Sequence, residues 1–301
     1  MDSITHALLV ATLLTLAGQQ EFIIFGIIGA IILDADILFT IVSRKRPELY
    51  LYIHGGAAHS IVGSAIMAAC AYVIFFVVSV STGLMVPSPI YYQFGITAFL
   101  CTIGGAWLHV TLDYLATPGI PLFWPGSEKK YTAGIFAGPS FFMIIVSWTF
   151  LILLILGVVP LTLLWIYGAL FIVFLIVRGG IRAIAYFRLP ADTFPTFNAL
   201  RWMVIRKEND SWWTSFFTIT GKEAGMAKTY PAYDGVPAED LKAIEAIPEV
   251  RRVRYHSYFT VAELNGDSII IKDPLREDGT LRYPPYHSRV VVRKDGTVIE
   301  S

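Results

Sequence analysis

Two imidazoles five residues apart frame the segment His54-Gly55-Gly56-Ala57-Ala58-His59-Ser60, where a basic stretch runs into a long apolar one. Imidazole is the commonest protein metal ligand and titrates near neutrality when unperturbed. A pair of them at the lip of an apolar run points to metal or proton chemistry. Five further residues can join them: His6, Asp34, Asp36, His109 and Asp113. Imidazoles mixed with carboxylates suit zinc, manganese or iron, and a catalytic ion keeps one position open for water. Such an ion lowers the pKa of its water toward neutrality. Four histidines and three aspartates are enough for one or two divalent transition-metal ions, zinc first.

The elements that position these groups are membrane helices by composition. Of 301 residues, 55% are hydrophobic and 15% charged, with a mean hydropathy of +0.61. Soluble domains carry about a quarter charged residues. Formal net charge is zero and the pI is near 7, so no basic surface speaks for nucleic acid. Cys70 and Cys101 fall inside apolar runs and read as small buried hydrophobes, not as a disulfide or thiolate ligands. The first residues lack a basic n-region, so a cleavable signal peptide is not expected.

Apolar runs of membrane length occur at 4–18, 22–42, 60–82, 91–116, 135–157 and 160–177. A spanning helix needs roughly 17–25 such residues. The last two are joined by the turn Gly157 to Pro160 and form a helical hairpin. Arg44, Lys45 and Arg46 follow the second run, Lys129 and Lys130 the fourth, and Arg178, Arg182 and Arg188 the sixth. The connections 19–21, 83–90 and 157–160 hold no Lys or Arg. The positive-inside rule then gives six spans in a cell (inner or plasma) membrane with both termini cytoplasmic. This topology places all seven candidate groups in the cytoplasmic leaflet. His109 and Asp113, at i and i+4, share a helix face. Asp34 and Asp36 do not share one on a regular helix, so only one of them is expected to contact an ion directly. Ionisable groups inside spans are costly and usually pair, line a wet cavity or bind an ion.

The fold expected is an α-helical polytopic membrane domain, residues 1–188, followed by a small soluble α+β domain, residues 189–301, mainly antiparallel and cytoplasmic. Leu200–Arg206 and Trp212–Ile219 alternate like hairpin arms about Asn209-Asp210. Asn265-Gly266 and Asp295-Gly296 mark two more hairpins, and Ala238 to Ile247 has helical spacing. Trp202, Trp212, Trp213 and Phe216 are either a docking surface or, as aromatics at strand spacing usually are, core.

Several of these segments resemble the YdjM-type family of membrane-bound metal-dependent hydrolases. They are Met1-Asp2-Ser3-Ile4-Thr5-His6, Asp34-Ala35-Asp36, the His54 to Ser60 segment, His109-Val110-Thr111-Leu112-Asp113 and Thr117-Pro118-Gly119. The likeness continues through Leu122-Phe123-Trp124-Pro125 and Asn198 to Trp202. It implies a multi-span helical protein with hydrolase activity. More distantly, the order of His and Asp residues is similar to zinc-dependent phospholipase C, which implies a phosphoester bond. Two departures stand out. Gly55 and Ala58 replace an Arg and a Thr frequent in the family, and Gly138-Pro139 stands where Asp-Pro is usual. Loss of the Arg removes a phosphate-binding fork, a role left to Arg44, Lys45, Lys129 or Lys130.

The function expected is a metal-dependent hydrolase at the cytoplasmic membrane face. His6, Asp34, Asp36, His54, His59, His109 and Asp113 are the metal-ligand candidates, with Asp36 and His54 in catalytic roles. The partners expected are membrane lipid and an amphiphilic substrate such as a phospholipid or prenyl phosphate. The alternative is a proton- or metal-ion transporter using the same intramembrane His and Asp. A transport path would also need ionisable groups in the outer halves of the spans, which carry almost none.

Overall fold

Glycines let the central helices of the N-terminal part approach backbone to backbone. Helix α1 (Ser3–Leu16) is followed by α2 (Ile23–Ile32), a 3-10 segment (Leu33–Leu38) and α3 (Phe39–Lys45). Next come α4 (Ile61–Thr82), α5 (Ile96–Tyr114), α6 (Phe141–Ile155) and α7 (Leu164–Arg188). A β-carbon on Gly29 would lie 1.8 Å from the Thr102 carbonyl oxygen, and one on Gly105 would lie 2.1 Å from that of Gly26. Glycine is therefore required on both helices where α2 crosses α5. The computed structural model describes residues 1–82, 94–189, 192–281 and 287–300. The expected connection 83–90 and the first residues of the run at 91–116 lie outside the described residues.

Four stretches are long and apolar enough to cross a membrane: Gln20–Ser43, Ile61–Thr82, Ile96–Tyr114 and Leu161–Arg188. The sequence reading expects six. The other two runs form helices of only 14 and 15 residues, α1 and α6. At 1.5 Å per residue these extend about 21–23 Å, against a hydrocarbon core of about 30 Å. The run at 135–157 is shortened because Phe136-Ala137 (β2) pairs in parallel with Ala116-Thr117 (β1), and because Gly138 takes a left-handed φ of +47°. Helix α6 starts only at Phe141. The expected hairpin of the last two runs is present: Phe142 meets Phe174, and Phe150 meets Tyr167, at centroid distances of 5.9 and 5.3 Å.

The chain divides into two compact units, Met1–Thr40 with Tyr52–Ala183, and Ile41–Leu51 with Ile184–Ser301. The first has its main core around Leu8, Leu112, Phe136, Met143, Tyr167 and Phe171.

The second unit contains two sheets. One is antiparallel, of order β3 (Thr193–Pro195), β4 (Arg201–Glu208), β5 (Ser211–Thr218) and β6 (Lys228–Pro231). The other has β7 (Tyr233–Asp234), β8 (Val261–Asn265), β9 (Ser268–Lys272), β10 (Arg289–Arg293) and β11 (Val298–Glu300). It is antiparallel apart from the β7–β8 pair. All three expected hairpins are present, and Asn209 takes the left-handed φ of +52° that its tight turn needs. The expected helix ends early, as α8 (Ala238–Ile244). A second helix, α9 (Pro248–His256), which the spacing did not reveal, follows it. Trp202 is fully buried, and Trp212 and Phe216 pack onto the cluster of Met203, Ile205 and Phe259, so these aromatics are core.

Replacing Gly105 by Val inserts a side chain where only main chain fits. It is expected to lower stability by about 1–3 kcal/mol, the usual cost of overpacking, read as a lower midpoint for thermal unfolding in detergent.

Candidate metal centre

Helix α1 delivers His6 one turn after its N-cap. The Asp2 carboxylate accepts from the Thr5 backbone N–H at 3.0 Å and from the Thr5 hydroxyl at 2.6 Å. With its one proton committed there, Thr5 accepts from Ser147, 2.7 Å away. Ser147 in turn accepts from the Tyr167 hydroxyl at 2.7 Å. This buried hydroxyl relay ties α1 to α6 and α7 immediately beside His6. The ring of His6 stacks on His109, centroids 3.7 Å apart and planes 12° from parallel.

Helix α5 contributes His109 and Asp113, with His109 Nε2 3.2 Å from Asp113 Oδ2. His109 Nδ1 donates to the Ala30 carbonyl at 2.5 Å, so its Nε2 is the atom turned toward the carboxylates. The amino group of Met1 donates to Asp113, and the Ser3 hydroxyl to Asp34. Neither the Ala30 carbonyl nor Ser3 was assigned a role from the sequence. Ser3 could have been suspected, since it sits one turn before His6 on α1.

Asp34 and Asp36 both reach His59, each toward a different ring nitrogen. The reason is local geometry. On an α-helix two residues at i and i+2 point about 160° apart. In the three-residue turn of the 3-10 segment Leu33–Leu38 the angle narrows to about 120°. His59 then sits between them, its Nε2 3.8 Å from Asp34 Oδ1 and its Nδ1 3.0 Å from Asp36 Oδ2. Asp36 Oδ1 also accepts from His54 Nδ1 at 2.8 Å. The chain turns between the two histidines at Gly55, whose φ of +76° disfavours a side chain. This backbone accommodates glycine at the position where the family often has Arg.

All seven candidates therefore converge within the first unit. They form three overlapping groups able to hold a metal ion: His6, His109 and Asp113; Asp34, His59 and His109; and Asp36, His54 and His59. His6, His59 and His109 are fully buried, Asp36 nearly so, and His54 is at the rim with its side chain 34% exposed. A tetrahedral ion with ligands at 2.0–2.1 Å spaces them about 3.3 Å apart. Here His59 Nε2 and His109 Nε2 are 3.2 Å apart, each lies 3.2–3.5 Å from Asp113 Oδ2, and His109 Nε2 lies 3.5 Å from Asp34 Oδ1. Both ring nitrogens of His6 are buried without a hydrogen-bond partner, while His59 Nδ1 and Asp36 Oδ2 face each other. Orphaned nitrogens of this kind are costly unless something binds them. The donor set fits a divalent transition metal.

Burial alone would lower the His59 pKa, but the adjacent carboxylates of Asp34 and Asp36, with the field of Asp113, push it up to about 10. The cluster thus favours a cation at this point, a proton or a metal ion.

These features define a class first: a helical membrane protein with a buried His/Asp cluster competent to hold a metal ion. Residues 1–186 match the model of the YdjM inner membrane protein family, and the chain belongs to that family. No curated protein and no solved structure matches it.

An ion that binds through His59 must displace its proton. Below pH 10 that proton is largely present, so zinc affinity is expected to rise with pH, by about tenfold per unit between about pH 6 and pH 9. Competition titrations with a chelating dye check the slope, and a flat profile would show that zinc displaces no proton from His59 over this range.

Proposed function

We propose that the protein is a membrane-embedded, metal-dependent hydrolase that cleaves a phosphoester of a lipid-like substrate at the cytoplasmic face. The observation that carries this reading is the convergence of imidazole nitrogens and carboxylate oxygens from four separate chain segments into one cluster. His6, His59 and His109, with Asp34 and Asp113, hold the ion, because their Nε2 and Oδ atoms face one another. Zinc is the first choice, with manganese or iron as alternatives. The bound ion supplies the Lewis acidity that makes a water nucleophilic near neutral pH. Asp36 orients two imidazoles at once, the usual task of a carboxylate behind a ligand histidine. It also holds the proton on His54 Nδ1, so His54 exchanges protons through its other ring nitrogen. Its place at the rim suits general acid–base work toward a bound head group.

The basic connections support an orientation with both termini and the site cytoplasmic. In that topology α1 and α6 are the short members of a six-helix set. A site at this depth admits a head group while the tail stays in lipid. An apolar groove of about 360 Å³ supports this, lined by Val10, Leu13 and Leu14 of α1 and by Leu100, Cys101 and Leu108 of α5. Two of its lining residues, Val10 and Gly105, stand four positions along the chain from His6 and His109. The distant likeness to zinc-dependent phospholipase C supports the phosphoester as the bond cleaved.

Elemental analysis of detergent-purified protein tests the ion. One or two equivalents of zinc in the wild type should fall to background in a His59→Ala/His109→Ala double variant that still folds. Background metal in both proteins would remove the hydrolase reading and turn attention to proton flux in liposomes. With zinc present, His54→Gln is expected to retain the metal and to slow phosphate-ester release from mixed phospholipid micelles by about 10²- to 10⁴-fold, the range typical of a lost acid–base group.

A further inference from the structure

The family match ends at residue 186, yet one stretch inside it, residues 41–51, belongs to the C-terminal unit. This stretch is contiguous with both halves of the metal cluster. Asp34 and Asp36 lie just before it, His54 and His59 just after it. What holds residues 41–51 therefore bears on how four of the seven groups are presented.

The stretch consists of the end of α3 and a 3-10 segment, Pro47–Tyr52. The last carbonyls of a helix have no partner within it and need donors from elsewhere. Two such donors come from one face of α9. Arg252 Nη1 donates to the Ser43 carbonyl at 3.2 Å, and His256 Nε2 donates to the Tyr50 carbonyl at 3.3 Å. The two side chains stand at i and i+4 and are 1% and 4% exposed. Arg251 lies 5.4 Å over the Tyr50 ring, and Tyr255 packs edge-on against it at 5.4 Å. The end of α9 is itself pinned: Arg276 donates to the His256 carbonyl at 3.2 Å and pairs with the fully buried Asp273. Burying an Arg and a His costs free energy unless donors are used, and one donor of each is used here on a main-chain carbonyl of this stretch.

We infer that α9 clamps residues 41–51, and that Arg252 and His256 are positioning residues for the His/Asp cluster. The clamp fixes where the chain leaves Asp36 and where it returns at His54, and so sets the Asp36–His54 and Asp36–His59 contacts. The C-terminal unit thereby takes part in building a membrane site to which it contributes no ligand. The consequence for metal affinity rests on the metal-site reading above; the positioning itself does not.

The test uses the full chain in nanodiscs with ¹⁵N-labelled histidine, since six histidines give resolvable imidazole signals. The variants are Arg252→Met and His256→Leu, with Arg252→Lys and His256→Gln as donor-retaining controls. In either disruptive variant the His54 and His59 signals are expected to shift while those of His6 and His109 stay. Zinc is expected to bind about 10- to 100-fold more weakly, as when other outer-shell supports of a metal site are lost. The controls should recover most of both effects. If the signals of His54 and His59 and the zinc affinity both keep their wild-type values in folded variants, the inference is overturned. A wild type that takes up no zinc, with shifted His54 and His59 signals in the variants, would end the metal reading and leave the clamp standing. Should Arg252→Met fail to fold, the milder His256→Leu decides.

Discussion

Three carboxylates and four imidazoles share one small, mostly buried region of a helical unit, and their charges must be balanced there. Removing carboxylates from water costs several kcal/mol each in practice unless cations and hydrogen-bond donors replace the lost hydration. In this protein the replacements are specific. The Met1 amino group serves Asp113, the Ser3 hydroxyl serves Asp34, and two imidazoles serve Asp36. What stays unsatisfied is the pair of ring nitrogens on His6. An ion placed among them would complete the balance, and the spacing of the donor atoms matches the edges of a small coordination polyhedron.

That balance depends on how closely the helices approach. Glycines 29 and 105 let α2 and α5 touch through their main chains, so the Ala30 carbonyl reaches His109 Nδ1. On the other side, α1 runs so that His6 faces His109, and the hydroxyl relay through Thr5, Ser147 and Tyr167 holds it against α6 and α7. The change from α to 3-10 winding at Leu33 turns two aspartates that would diverge toward the same histidine. Each device is small, and all act on the direction of a side chain by a fraction of a turn.

The C-terminal unit adds a different kind of control. The family-matched segment carries every candidate ligand, yet its stretch between the aspartates and the histidines is held by α9. Loops that carry site residues are normally steadied by the scaffold that bears them. Here part of that task falls to residues beyond the matched segment, which supply none of the candidate ligands.

Residue type and spacing made much of this legible. The long apolar runs, the His109/Asp113 pair at i and i+4 and the three hairpins with Asn209, Gly266 and Gly296 at their turns all follow from local rules, because each depends on neighbours in sequence. The membership of the seven site groups was also readable, since ionisable residues in apolar runs are too costly to be incidental. Local rules failed where distant segments decide. The length of α6 was overread because pairing of Phe136-Ala137 with Ala116-Thr117 cuts the last-but-one run short. The joint reach of Asp34 and Asp36 was missed because hydropathy carries no record of 3-10 winding. Helix α9 was missed because Arg252 and His256 break its apolar pattern, although both are buried and bond carbonyls of residues 41–51. By itself the sequence determined which residues could do chemistry. Only the tertiary structure decided which of their atoms face one another, because that depends on main-chain approach between segments far apart in the chain.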